Sequence, residues 1–196
     1  MSLKKAVFLI ILILLIDQIS KIYIKTNFVL GEEVDVLSWF KIHFVENKGM
    51  AWGVQIPGAY GKLILTIFRL FAIVGIGYWL WDSVRKHAPR VLLISIALIF
   101  AGAFGNIIDS VFYGLIFEDS YGQVSGIFPE GGGYGKLFHG KVVDMFSFSF
   151  FNPVFNVADS SISVGVALLL VFNKKAFPKK EKEKEIDPTN APETQS

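Results

Sequence analysis

Long runs of apolar residues dominate the chain, and regular alternation of apolar and polar positions is confined to one short stretch. Four segments meet or approach the length of about 20 apolar residues that a helix needs to cross the hydrocarbon layer of a bilayer. They cover about 5–23, 63–81, 91–108 and 154–172. The pattern predicts a mainly α-helical membrane protein with four transmembrane helices.

The first long connection between these segments, about 26–62, contains the alternating stretch from Lys41 to Glu46. Aromatic residues lie within and around that stretch: Trp39, Phe40, Phe44 and Trp52. This combination is typical of short strands with an aromatic face at the membrane–water boundary.

The second long connection, about 113–153, is rich in glycine around the stretch EGGGYGKLFHG. A phosphate-binding loop needs the spacing G-x-x-x-x-G-K-[ST] at a strand-to-helix turn. Glu130 stands in place of the first glycine and Leu137 in place of the hydroxyl residue, which excludes that chemistry. The sequence predicts a flexible surface segment instead.

Composition supports a membrane protein. Of the 196 residues, 53% are hydrophobic and 18% are charged, whereas an average soluble domain has about 25% charged residues. There is no cysteine and there are three histidines, so disulfides and thiolate chemistry are excluded and no metal or other cofactor is expected. The net charge of +2 is too small to indicate binding to nucleic acid.

The placement of lysine and arginine predicts the orientation. Basic residues precede the first span, fill the connection between the second and third, and follow the fourth. The positive-inside rule makes these regions cytoplasmic, so both termini are expected inside and both long connections outside. Residues 177–196 are charged and lack aromatics beyond Phe177, which predicts a disordered cytoplasmic tail after a single domain at 1–176.

The first segment has features of a cleavable signal peptide, because Lys4 and Lys5 precede an apolar stretch. No small-x-small cleavage pattern follows it, and Asp17 and Gln18 come instead. We therefore interpret the segment as a retained membrane anchor.

Ionisable residues within spans are candidates for function, because each costs at least about 2.5–3.5 kcal/mol at the bilayer centre. Asp17 and Lys21 are four residues apart on one helical face, which fits either a structural ion pair or part of a polar site. Arg69 lies in the outer half of the second span, where an interfacial anchor is the favoured interpretation.

The third span ends in AGAFGNIID, which combines small and polar residues. Gly102, Ala103 and Gly105 allow another element to approach closely. Asn106 and Asp109 share one helical face. Together they indicate a tightly packed polar site at the outer end of this helix.

Two further aspartates, Asp144 and Asp159, stand before and within the fourth span. Asn152 and Pro153 predict the start of that helix, which puts Asn156 and Asp159 on one face. Two close carboxylates can share one proton, so that the ionised member activates a water while the neutral one polarises a carbonyl. The sequence leaves open whether the two aspartates meet or whether each is a cap or a hydrogen-bond partner.

Five short motifs, taken in order, resemble the bacterial signal peptidase II family, the lipoprotein signal peptidases. They are DQISK at 17–21, NKGMAW at 47–52, AGAFGNIID at 101–109, GKVVD at 140–144 and FNVAD at 155–159. The resemblance implies a metal-independent aspartic endopeptidase of the bacterial inner membrane, with its active site near the outer face. Such an enzyme removes signal peptides from prolipoproteins by cleaving before the diacylglyceryl-modified cysteine.

The same resemblance implies that Asp144 and Asp159 are the catalytic pair. The supporting or substrate-binding positions are Asp17, Lys21, Asn47, Gly49, Asn106, Asp109 and Asn156. The loop between the first two spans resembles the family's small extracytoplasmic β-sheet, or cradle. The implied partners are prolipoproteins, membrane lipids and globomycin-type peptide inhibitors.

The chain departs from the family pattern at two places. The pattern G-N-x-x-D-R ends here in Ser110, so a cation expected beside the site is missing. Lys21, Lys141 or another base could take over its task, or the task could go undone. Residues 118–139 also form an insert that the compact pattern lacks.

Two rival functions differ from a peptidase in what they predict. A small ion- or proton-coupled transporter would also carry carboxylates among its spans, but it predicts inverted repeats and discontinuous helices. A non-catalytic membrane assembly factor would use the cradle as a docking surface. Cleavage activity of the pure protein would exclude both.

Overall fold

The computed structural model describes residues 1–48 and 61–178. In these residues the protein consists of a group of apolar helices and one small antiparallel sheet. The predicted tail lies outside the described residues except for Phe177 and Pro178.

The long helices are α1, Leu3–Asn27; α2, Gly61–Arg85; and α3, Arg90–Ile108. A π-helical turn, Asp109–Tyr113, continues α3 into the short α4, Gly114–Ile116. Within the described ranges, α1, α2 and the continuous segment Arg90–Ile116 are the three helices long and apolar enough to cross a membrane. The helices of the first and third predicted spans thus continue beyond residues 23 and 108.

The fourth predicted span, about 154–172, corresponds to a shorter apolar helix. It is α5, Val157–Val171, and it is followed by α6, Asn173–Ala176. With 15 residues, α5 falls below the length of the other three.

The predicted start of this helix is wrong. Asn152 and Pro153 lie in a strand, Phe151–Phe155, where proline is accepted because the strand is at the edge of the sheet. The helix begins after Asn156, whose side-chain oxygen accepts a hydrogen bond from the Asp159 N–H at 2.8 Å. This cap satisfies one of the N–H groups that a helix leaves unpaired at its start.

The sheet has the order β1-β2-β3-β4 with antiparallel neighbours. Its strands are β1, Glu33–Leu37; β2, Phe40–Asn47; β3, Val142–Phe148; and β4, Phe151–Phe155. The predicted strands of the first long connection are thus confirmed.

The last part of the second long connection, after its glycine-rich stretch, forms β3 and β4, where the sequence predicted no strands. Aromatic residues on neighbouring strands hold the two halves of the sheet together. The Phe40 ring lies 6.0 Å from the Phe146 ring and 5.3 Å from the Phe148 ring. Such cross-strand pairs stabilise a sheet because they pack side chains on the same face.

The insert returns to the helices where α3 enters its π-helical turn. Gly140 N donates to Ser110 O at 3.0 Å, and Phe138 N donates to Val111 O at 3.1 Å. A Cβ on Gly140 would lie 1.9 Å from Asp109 O, so this approach requires glycine. The contacts satisfy carbonyl groups at the turn and fix the start of β3.

Helix α3 is the centre of the helical group and packs against α1, α2 and α5. A Cβ on Gly102 would lie 2.2 Å from Ala158 O of α5, so the small residue permits the contact. The predicted close approach is confirmed. The outer faces of the helices carry exposed apolar side chains, such as Phe8 and Ile19 of α1, as expected of surfaces in contact with lipid.

Candidate functional site

Polar side chains from β2, β3, α1, α3 and α5 meet where the helices adjoin the sheet. Asp144 lies on β3 and is buried. Its Oδ1 accepts a hydrogen bond from Asn156 Nδ2 at 2.7 Å, and its Oδ2 accepts one from Asn47 Nδ2 of β2 at 3.3 Å. Burial, and after it the nearby charge of Asp159, raises the pKa of Asp144 to about 8.

Asp159 lies in the first turn of α5. Its Oδ2 accepts from Asn156 N at 3.3 Å, which completes a reciprocal capping box with the Asn156 side chain. Its Oδ1 accepts from Asn106 Nδ2 of α3 at 2.8 Å. The N-terminus of α5 and the Asn106 amide both stabilise negative charge on this carboxylate.

Asn156 joins the two aspartates, because it donates to Asp144 from its side chain and to Asp159 from its backbone. The sequence left open whether these carboxylates meet. The structure brings them to one site, where a single residue contacts both and the charge of Asp159 acts on Asp144.

A second group of polar residues, here called the Lys21 cluster, lies next to this pair. Its members are Asp17, Gln18, Lys21, Asn106 and Asp109. Lys21 Nζ lies 2.9 Å from Asp17 Oδ2, 2.9 Å from Asp109 Oδ2 and 2.8 Å from Asn106 Oδ1, and its side chain is fully buried. An ammonium has three N–H donors, and each of them has an acceptor here.

The carboxylates of the Lys21 cluster also bind backbone N–H groups of the elements that carry the aspartate pair. Asp17 Oδ1 accepts from Ala158 N at the start of α5 at 2.8 Å. Asp109 Oδ2 accepts from Val143 N of β3 at 3.2 Å. The cluster therefore fixes β3 and α5 relative to α1 and α3.

Sequence reasoning missed Gln18 in this cluster. Gln18 Nε2 donates to Asp17 Oδ2 and to Asp109 Oδ1, both at 3.0 Å, and Gln18 Oε1 accepts from the Tyr113 hydroxyl at 3.2 Å. An amide inside an apolar helix, next to an aspartate, was the signal that could have identified it.

Arg69, for which an interfacial anchor was the favoured interpretation, contacts the helix group. Its Nη1 donates to Ser110 Oγ at 3.2 Å, and the charges of Asp159, Asp109 and Asp144 act on its guanidinium. Ser110 is the position at which the family pattern has arginine.

A third group, here called the Lys25 cluster, ties the insert to α1 and β2. Lys25 Nζ donates to Glu46 Oε1 at 2.5 Å and to Ser120 Oγ at 2.8 Å, and Lys141 Nζ donates to Glu46 Oε2 at 2.5 Å. Aromatic rings surround the Lys25 ammonium at 5.0 to 5.9 Å from their centroids: Phe44, Phe117 and Tyr134. Sequence reasoning missed Lys25 because its partners are distant in the chain.

Of the predicted site residues, Gly49 lies outside the described residues. The other eight all fall in the aspartate pair, in the Lys21 cluster or in direct contact with them. In residues 1–48 and 61–178, no group of three or more His, Asp or Glu side chains is arranged to hold a metal ion.

Fold and site together define a membrane protein with a carboxylate pair where its apolar helices meet a small sheet. A profile of the family described as Signal peptidase (SPase) II matches residues 9–174. The chain therefore belongs to the signal peptidase II family, and it is a membrane peptidase.

Individual relatives agree with this assignment. The lipoprotein signal peptidase of Porphyromonas gingivalis (strain ATCC 33277) is 48% identical over 183 residues, which cover 83% of this chain and 80% of that protein. The lipoprotein signal peptidase of Amoebophilus asiaticus (strain 5a2) is 34% identical over 189 residues, which cover 85% of this chain and 75% of that protein. A bacterial membrane enzyme solved by the in meso method at 2.3 Å resolution is similar in structure, with a TM-score of 0.63, 25% identity and coverage of 93% of this chain and 96% of its own.

Proposed function

We propose that this protein is an aspartic endopeptidase that removes signal peptides from prolipoproteins by cleaving before a diacylglyceryl-modified cysteine. One observation carries the proposal: Asn156 bonds both Asp144 and Asp159, at the junction of the apolar helices and the sheet. Family membership and the name of the 48% identical relative support the substrate class.

The environments of the two aspartates support different roles. A pKa of about 8 keeps Asp144 protonated at neutral pH, so Asp144 is the acid. Asp159, at the start of α5 and bonded by Asn106, is the ionised base. Separate environments for two close carboxylates are the usual way to obtain an acid and a base from one residue type.

Hydrolysis then proceeds through a water molecule between the two carboxyl groups. Asp159 takes a proton from the water as the water oxygen bonds to the scissile carbonyl carbon. Asp144 donates its proton to the carbonyl oxygen, which gives a neutral tetrahedral intermediate. The carbon–nitrogen bond breaks as the amine nitrogen receives the proton held by Asp159, and the intermediate returns the other proton to Asp144 as the new carboxyl group forms.

The supporting residues act by holding this geometry. Asn47, Asn106 and Asn156 orient the two carboxyl groups, and Asp17, Lys21 and Asp109 hold the elements on which they lie. Gly49 is assigned to the site by family resemblance alone.

Topology and partners follow from the same proposal. The protein crosses the bacterial inner membrane four times, with both termini cytoplasmic and the aspartate pair near the outer face. Residues 1–176 act as one peptidase domain, and 177–196 form a cytoplasmic tail. Membrane lipids surround the helices, and a globomycin-type peptide is expected to inhibit cleavage.

The test is cleavage of a purified prolipoprotein in detergent or liposomes by the Asp144→Asn and Asp159→Asn variants. Each is expected to lose at least about 100-fold in turnover, because general acid–base catalysis contributes about that much or more. Asp35→Asn, on the exposed edge strand β1, is the matched control and should cleave normally. Near-normal turnover by either folded site variant would contradict the proposed pair.

A further inference from the structure

Arg69 introduces a guanidinium into an apolar helix beside the aspartate pair. It lies about 12 Å along α2 from Gly61, at about 1.5 Å per residue. Charged residues within membrane helices are retained mainly where they pair or act on a substrate. Here the guanidinium is directed at the end of α3 and the π-helical turn that follows it, which carry Asn106, Asp109 and Ser110.

Ser110 fixes the direction of this side chain. The Ser110 hydroxyl donates to Asn106 O at 2.9 Å, so its proton is engaged and its oxygen accepts from Arg69 Nη1. Asn106 in turn donates to Asp159 at 2.8 Å. Arg69 is therefore joined to the aspartate pair through Ser110 of the π-helical turn and Asn106 of α3.

Three lysines near the site are engaged by carboxylates. Lys21 contacts Asp17 and Asp109, and Lys25 contacts Glu46. Lys141 also contacts Glu46. Because Lys21 and Lys141 are held in these ion pairs, we do not assign to either of them the task of the arginine that the family pattern has at position 110.

A peptide substrate requires hydrogen-bond donors at this depth. A signal peptide must be extended around the bond that is cut, so its carbonyl oxygens there lack the partners that a helix supplies. Unpaired carbonyls are strongly disfavoured away from water. A guanidinium offers five N–H donors in a planar fork, which suits one or two carbonyl oxygens better than an ammonium does.

We infer that Arg69, aimed by Ser110, binds a carbonyl oxygen of the substrate next to the scissile bond. The inference rests on the proposed function and assigns to α2 a substrate contact in place of the arginine missing at position 110. The carbonyl belongs either to the peptide backbone or to an ester of the diacylglyceryl group, and both present the same acceptor.

The experiment measures kcat and KM for a diacylglyceryl peptide with wild type, Arg69→Met and Arg69→Met/Ser110→Arg. Arg69→Met should raise KM about tenfold to 100-fold, the range for a lost hydrogen bond to a charged group, with kcat changed much less. The double variant should return KM to within about threefold of wild type, because it carries a guanidinium into the same neighbourhood from α3.

Arg85→Met is the matched control, since Arg85 lies on the same helix but at its other, exposed end. It should leave both constants unchanged. If Arg69→Met gives no cooperative melting transition in detergent, Ser110→Ala decides instead, with an expected rise in KM of about threefold to tenfold. The inference is overturned if KM is unchanged in Arg69→Met or, where that variant does not fold, in Ser110→Ala. It is also overturned if KM stays raised in the folded double variant.

An ether-linked substrate and the Asp144→Asn variant give two further comparisons. A substrate with ether-linked alkyl chains lacks the ester carbonyls. If Arg69→Met still raises KM for this substrate, the acceptor is a backbone carbonyl. If the rise in KM disappears, the acceptor is an ester carbonyl. Asp144→Asn separates this inference from the proposed function. If wild type cleaves and Asp144→Asn does not, an unchanged Arg69→Met refutes the substrate contact alone, whereas an inactive wild type refutes the proposed function.

Discussion

Lys21 and Lys25 lie one turn apart on α1 and are both fully buried, yet they are stabilised in different ways. Lys21 is held by the carboxylates of Asp17 and Asp109. Lys25 shares the single carboxylate of Glu46 with Lys141 and is surrounded by aromatic rings.

The two clusters therefore differ in how strongly their carboxylates depend on a single lysine. The Lys21 cluster has more negative than positive charge, so its carboxylates need the lysine. In the Lys25 cluster two lysines contact Glu46, so this carboxylate keeps a partner when one lysine is lost. The first cluster positions the aspartate pair, whereas the second attaches the insert through Ser120.

Replacing Lys21 should have the largest effect on stability. Lys21→Met leaves Asp17 and Asp109 buried without a cation, which should lower the free energy of unfolding by about 3–5 kcal/mol. Chemical unfolding in detergent measures this loss. Lys86→Met, which removes an exposed partner of Asp82, is the control and should leave unfolding unchanged. Wild-type stability of Lys21→Met would mean that the two carboxylates do not depend on the lysine.

Replacing Lys25 should have a smaller effect. In Lys25→Met, Glu46 retains Lys141, and the aromatic rings accept an apolar side chain, so we expect a loss of about 1–3 kcal/mol. The same unfolding measurement applies, with Lys41→Met on the exposed sheet edge as the control. Prolipoprotein cleavage should persist. A loss equal to that of Lys21→Met would show that the two clusters do not differ as described.

The pH dependence of cleavage should give the finest distinction between the clusters. As pH rises through about 8, Asp144 loses the proton that it must donate, so kcat/KM should fall about tenfold per pH unit above that value. The charge of Lys21 lowers the pKa of Asp144, whereas Lys25 is not among its main influences. Lys25→Met should therefore leave the descending limb in place, and a shift of that limb would link the Lys25 cluster to the aspartate pair.

Local features of this site could be predicted from the sequence, because helical spacing defines them. Asp17 and Lys21 lie four residues apart on α1, and the structure pairs them at 2.9 Å. The small residues before Asn106 similarly predicted that another element approaches closely, and in the structure this element is α5. Asp144 and Asp159 were assigned through resemblance, and their meeting depends on a strand register that no local pattern specifies.

Nonlocal features were missed for the same reason. The partners of Lys25 come from β2 and the insert, which are 21 and 95 residues away. Pro153 predicted a helix start because proline is common there, yet the Asn156 cap and the pairing of β4 with β3 determined the boundary. The contact of Arg69 with Ser110 was missed because Ser110 lies on another helical segment, 41 residues away.

The short length of α5 has a consequence for the surrounding bilayer. Its 15 residues rise only about 22 Å, whereas the hydrocarbon layer is about 30 Å thick. On the four-span topology proposed above, the bilayer beside α5 must become thinner. Membranes of different thickness should therefore accommodate the enzyme at different energetic cost. Acyl-chain length would then tune how easily this peptidase is accommodated, independently of any residue in its site.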